Sequence, residues 1–115
     1  EAATIEQELT EIPGKIEDKA AELRQARKEY KLAKAAYEFQ FAKITLTIKL
    51  QHPEKTQTDV KAEATVASIE LKHKMIEEQS KYEAVQAAYQ RLRDELETLS
   101  QRSNNYRQEL KALRG

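Results

Sequence analysis

The side chains able to carry chemistry in this chain are two histidines, five tyrosines and one dense run of bases. His73 would share a helical face with Glu70 and Glu77, an imidazole flanked by carboxylates, and His52 stands beside Pro53. Neither histidine has a Cys, a second His or paired carboxylates at metal-ligand spacing, so both read as exposed side chains. The run Arg24, Arg27, Lys28, Lys31 and Lys34, joined by Arg91 and Arg93, offers cations to phosphate groups. Glu22, Glu29, Asp94, Glu95 and Glu97 dilute it, and a solvated helix face laced with intrahelical pairs outweighs a nucleic-acid site. There is no glycine-rich phosphate loop, no Ser-His-Asp set and no paired-carboxylate cleft. No catalytic, metal-binding or cofactor-binding residue is assigned, and the expectation is a protein without enzymatic activity.

The tyrosines lead to the elements that position them. Tyr30-Lys-Leu-Ala-Lys-Ala-Ala-Tyr37 and Tyr82-Glu-Ala-Val-Gln-Ala-Ala-Tyr89 share one frame, a tyrosine pair enclosing two alanines. A ladder of rings for stacking bases is one use of such spacing. The plainer use is to fill a helix seam, ring inward and hydroxyl at the edge, and the surrounding pattern favours it. Tyr82, Val85, Tyr89, Leu92, Leu96, Leu99, Ser103, Tyr106, Leu110 and Leu113 alternate at steps of three and four residues, a heptad series broken only at Ser103. Ile5, Leu9, Ile12, Ile16, Leu23, Ala26, Tyr30, Ala33, Tyr37 and Ile44 make a second series, with Lys19 and Gln40 as polar members. A strict heptad repeat needs another helix to lie against, and each series supplies the other's partner.

The predicted fold is therefore all-α, one domain over residues 1–115: two long helices forming an antiparallel coiled-coil hairpin. Helix 1 is expected over about residues 4–51 and helix 2 over about 59–114, with a turn over about 52–58. Pro13, followed by Gly14, calls for a kink or for a short first helix that restarts there. Pro53 disfavours helix at His52, and Thr58 or Asp59 is placed to cap the second helix. The preferred register opposes Ala33 to Tyr82, Tyr30 to Val85, Leu9 to Tyr106 and Ile5 to Leu110, and brings Tyr37 level with Glu78. The acidic start, with Glu1, Glu6, Glu8 and Glu11, then meets the basic end, with Arg102, Arg107, Lys111 and Arg114. Exposed pairs such as Glu6 with Arg107 contribute about 0.2–1 kcal/mol each, enough to favour a register and little more. Lys43-Ile-Thr-Leu-Thr-Ile-Lys-Leu50 also alternates like a strand, but the spacing of Phe41, Ile44 and Ile48 continues the helix.

Composition agrees with long helices. Of 115 residues, 35% are charged and only 6% aromatic, with two Gly, two Pro and no Cys, and the 20 bases balance the 20 acids. Zero net charge gives no overall attraction to nucleic acid or to acidic membranes. No apolar run reaches the length of a membrane span and the first residues are acidic, so a soluble, cytoplasmic protein is expected. A start at Glu1 instead of Met suggests a trimmed end.

Apolar residues also lie off the seam. Leu32, Phe39 and Leu46 repeat every seven residues on one outer face of helix 1, with Phe41, Ile48 and Leu50 nearby, and Ala62, Ile69 and Ile76, joined by Val66, make an extra outer stripe on helix 2. A two-helix hairpin leaves both stripes in water, on opposite flanks. They are the candidate interface for a homo-oligomer, a helical bundle of several copies.

The layout resembles small helical-hairpin proteins encoded by tailed bacteriophages, often near replication and recombination genes. The residues that carry the likeness are Tyr30 to Glu38, the turn and restart Lys55-Thr-Gln-Thr-Asp-Val-Lys-Ala-Glu-Ala64, and Tyr89 to Leu99. That resemblance implies an accessory coiled-coil protein with a role in phage DNA metabolism. The chain also looks like a prefoldin subunit in its length and its two arms, which would imply a chaperone binding unfolded chains, although it lacks a glycine-containing two-stranded hairpin. Nucleic-acid binding through Arg24 to Lys34 is a third expectation.

Overall fold

The computed structural model describes residues 2–114, the side chain of Ala2 excepted, so Glu1 of the acidic start lies outside the described residues. Among the described residues the elements are three α-helices and no strand: α1 is Ala2–Gln51, α2 is Gln57–Ala67 and α3 is Ile69–Arg114. The chain divides into two compact units, one of residues 1–24 with 83–115 and one of residues 25–82. They are called the terminal unit and the turn unit below.

In the terminal unit the apolar series of α1 and α3 turn inward. Ile12 and Leu99 are its buried residues, with Ile5, Leu9, Ile16, Leu92, Leu96 and Leu110 half-buried. Ile5 shares one recess with Ser103, Tyr106 and Leu110, and Ile16 lines another with Leu96 and Ser100. The seam ends at Leu110, because Leu113 is 85% exposed. Lys19, a charged member of the series, is satisfied within its own helix by Glu22 at 2.8 Å.

Pro13 does not start a new helix, since α1 runs through it unbroken. Its missing N–H costs one backbone bond and its ring crowds the carbonyl of Leu9. The adjacent Ile12, 3% exposed, holds the segment against that cost.

In the turn unit, α1 stops at Gln51, where Pro53 forces the chain out of helix. His52 N–H still reaches Ile48 C=O, and Lys55 N–H donates to His52 C=O across the turn. The cap of α2 is Thr56, two residues ahead of the nearer expected candidate: it is extended, and its hydroxyl accepts from Asp59 N–H at 3.2 Å. Of the early residues, Thr56 alone has a hydroxyl three residues before an amide freed by the new helix. Lys55 pairs with Glu63 and so fastens the turn to the first turns of α2. Lys43 to Leu50 is helical, so the strand alternative is not formed.

The second half of the molecule is not one helix from about 59 to 114. It is interrupted at Ser68, which has φ −104° and ψ 12°. Ser68 N–H is shared between Ala64 C=O at 3.0 Å and Thr65 C=O at 3.2 Å, and the ladder resumes with Lys72 N–H on Ser68 C=O. The inward residues explain the place. Val60, Ala64 and Ser68 follow at steps of four, and Leu71, Met75 and Glu78 then return to steps of three and four. Such a change of phase must be absorbed locally.

Candidate interaction surface

The core of the turn unit is thin. Its buried apolar residues are Ala26, Ala33, Val60 and Ala64, with Ser68 beside them at 2% exposure. Ala26 and Ala33 come from the inward series of α1, and Val60 and Ala64 from the face of α2 that continues into α3. Around them Tyr30, Tyr37 and Tyr82 are half-buried. Tyr30 and Tyr82 stack with ring centroids 5.9 Å apart and planes 20° off parallel, and Tyr37 meets Phe41 at the same separation in a tilted pair. Tyr82 thus stacks on a tyrosine, whereas the preferred register set it opposite Ala33. Arg27 closes the stack, its Nε donating to the Tyr82 hydroxyl at 3.2 Å and its guanidinium lying 5.6 Å from the ring centre. In the terminal unit Arg93 lies over Tyr89 in the same manner, at 5.8 Å.

The expected partnership of Tyr37 with Glu78 is not made. Glu78 Oε2 is buried without a hydrogen-bond partner, while its Oε1 and that of Glu77 each stand 3.6 Å from Lys81 Nζ. Tyr37 turns its ring to Phe41, and Lys81 bridges the two carboxylates along its own helix. Glu78 foremost, and Glu77 after it, hold the Lys81 ammonium above its ordinary range.

The large apolar side chains of the turn unit are on the outside. Leu32, Phe39, Leu46 and Leu50 on α1, Val66 on α2, and Ile69 and Ile76 on α3 are all 40–74% exposed. These are the seven residues singled out as the candidate interface. Two more residues belong to the α1 stripe that the seven-residue spacing alone does not mark: Ala35 and Ala42, exposed between Leu32, Phe39 and Leu46. The signal that finds them is the step of three then four, which makes this outer face a heptad series in its own right. Beside it a recess of about 480 Å³ is lined by Leu32, Ala33, Ala36 and Leu71 together with Glu29, Lys74, Glu78 and Lys81.

The other candidates are exposed polar side chains. Arg27, Lys28, Lys31 and Lys34 are exposed in the turn unit, with Arg27 drawn back onto Tyr82, and Arg24 is exposed in the terminal unit. His73, Glu70 and Glu77 are exposed, and among the described residues no group of three His, Asp or Glu side chains could hold a metal ion. His52 Nδ1 lies 3.4 Å from Glu54 in the turn. Among the described residues no helix is long and apolar enough to cross a membrane.

The class that these features define is an all-α protein with an apolar surface on its turn unit. Compared with protein-family models, with curated proteins and with solved structures, the chain matches none.

Proposed function

We propose that this chain is a non-enzymatic interaction module, an antiparallel coiled-coil hairpin that self-associates through the outer stripes of its turn unit. The observation that carries this reading is the distribution of side-chain size: the buried positions of that unit are small, Ala26, Ala33, Val60, Ala64 and Ser68, while Leu32, Phe39, Leu46, Leu50, Val66, Ile69 and Ile76 are exposed. Burying a Leu, Ile or Phe contributes about 1.5–3 kcal/mol, and alanine far less. A helix pair meant to stand alone would place those residues the other way round. The likeness to phage hairpin proteins extends the reading to an accessory role beside DNA replication or recombination, in a cytoplasmic setting.

The test compares substitutions on and off the stripes by sedimentation equilibrium. Phe39→Asp with Leu46→Asp is expected to bring the average mass down to the 13.3 kDa of one chain while the helical circular dichroism persists. Leu113→Asp, at an exposed site of the terminal unit, is the control and leaves the mass as it was. A double variant with the mass of the unmodified protein would refute the reading.

A further inference from the structure

The outer face of α1 has a sequence that fits itself. Leu32, Ala35, Phe39, Ala42 and Leu46 alternate large and small at heptad steps, and all are exposed. In an antiparallel pair each layer joins an a-type position of one helix to a d-type position of the other. Laid against a copy of itself with the two-fold axis between Gln40 and Phe41, Phe39 falls on Ala42 of the second copy and Leu46 on Ala35. Symmetry repeats both layers. Leu32 then meets Lys49, whose alkyl stem can cover it while the ammonium stays in water.

The next register, one heptad shorter, sets Leu46 against Lys28, places Glu38 against Glu38 of the second copy and leaves Leu50 outside the contact. The register centred between Gln40 and Phe41 brings Leu50 of the second copy down beside Glu29 and Leu32, at the recess of about 480 Å³ whose lining includes Ala33, Ala36 and Leu71. Lys43 of the second copy descends at Ala36, across that recess from Glu78, whose buried Oε2 has no partner within its own chain. Shape and charge both fit. The stripe on α2 and α3 lacks this match, since His73 and Ser80 occupy its intervening positions.

We propose that the occupant of the α1 outer face is a second copy of this chain, bound antiparallel about a two-fold axis near Gln40 and Phe41, with its Leu50 in the recess beside Leu32. This rests on the self-association reading above and adds the face, direction and register.

The chain has no cysteine, so disulfide trapping can be placed at will. Ala35→Cys and Leu46→Cys proteins are mixed, equilibrated and oxidised, and the products are resolved by intact mass under non-reducing conditions. Sedimentation of the same unoxidised mixture is run alongside. The expected result is a mixed disulfide, Cys at 35 to Cys at 46, in several-fold excess over either homodimeric disulfide, because only those two sites share a layer close enough to bridge. Homodimeric disulfides in equal or greater yield indicate a parallel or unspecific contact and overturn the proposal. An assembly larger than one chain without the mixed disulfide overturns the face and register while self-association survives. A strictly monomeric mixture overturns both.

Discussion

Ser68 shows at the scale of one residue how a buried polar atom can matter more than its size suggests. Its hydroxyl has lost water and gained no protein partner, and an unmet buried hydroxyl costs about 1–3 kcal/mol. Alanine has nearly the same shape and a higher helix propensity. Ser68→Ala is therefore expected to raise stability by about 1 kcal/mol in chemical denaturation, and a loss of stability would show that the hydroxyl is satisfied in solution. Lys81 gives a second prediction at this scale. Its pKa in the folded chain is raised by Glu78 and then Glu77, so its contribution is fully present below its ordinary 10.5 and is lost as pH rises through the folded value. The difference in thermal stability between Lys81→Met and the unmodified protein is expected to hold constant from neutral pH to about pH 9 and to close only at higher pH. A difference that closes between pH 6 and 9 would place the effect elsewhere.

At the scale of the elements, α1 contains a helix-breaking pair and continues through it. Gly14 has ordinary helical φ, and a Cβ added there would meet nothing within 4 Å. Gly14→Ala is expected to stabilise the protein by about 0.5–1 kcal/mol, since only the entropy of glycine in the unfolded chain is removed. No change in denaturation midpoint would mean that α1 is frayed around Pro13 in solution. The inward residues of α1 were legible because Ile5, Leu9, Ile12, Ile16, Leu23, Ala26, Tyr30, Ala33, Tyr37 and Ile44 keep strict heptad phase, and all of them are buried or half-buried. Helix over 43–50 was legible for the same reason. The interruption at Ser68 was hidden. Its inward series passes through Ala64 and a serine, residue types that carry no hydrophobic signal, so the change of step from four to three left no mark. The cap at Thr56 was misplaced because Thr56, Thr58 and Asp59 are all good caps and the choice depends on where Pro53 releases the chain. Tyr82 went to Tyr30 because two rings gain about 0.5–1.5 kcal/mol by stacking, a preference that a rule of large against small omits.

At the scale of the molecule, the candidate surface was readable to the extent that it is a pattern. Leu32, Phe39, Leu46, Ile69 and Ile76 announce themselves by a spacing of seven off the seam, and they are exposed in the fold. Ala35, Ala42 and the recess beside Leu32 were not readable that way, because alanine occurs on both the inner and the outer faces of these helices and a recess depends on how α1 meets α3 within the turn unit. On the proposed reading, other copies of the chain cover this exposed apolar surface. Sedimentation equilibrium of the unmodified protein at tens of micromolar tests it most directly. The expected mass is a whole multiple of 13.3 kDa, two or more chains, falling towards one chain on dilution. A mass of 13.3 kDa across that range would contradict it.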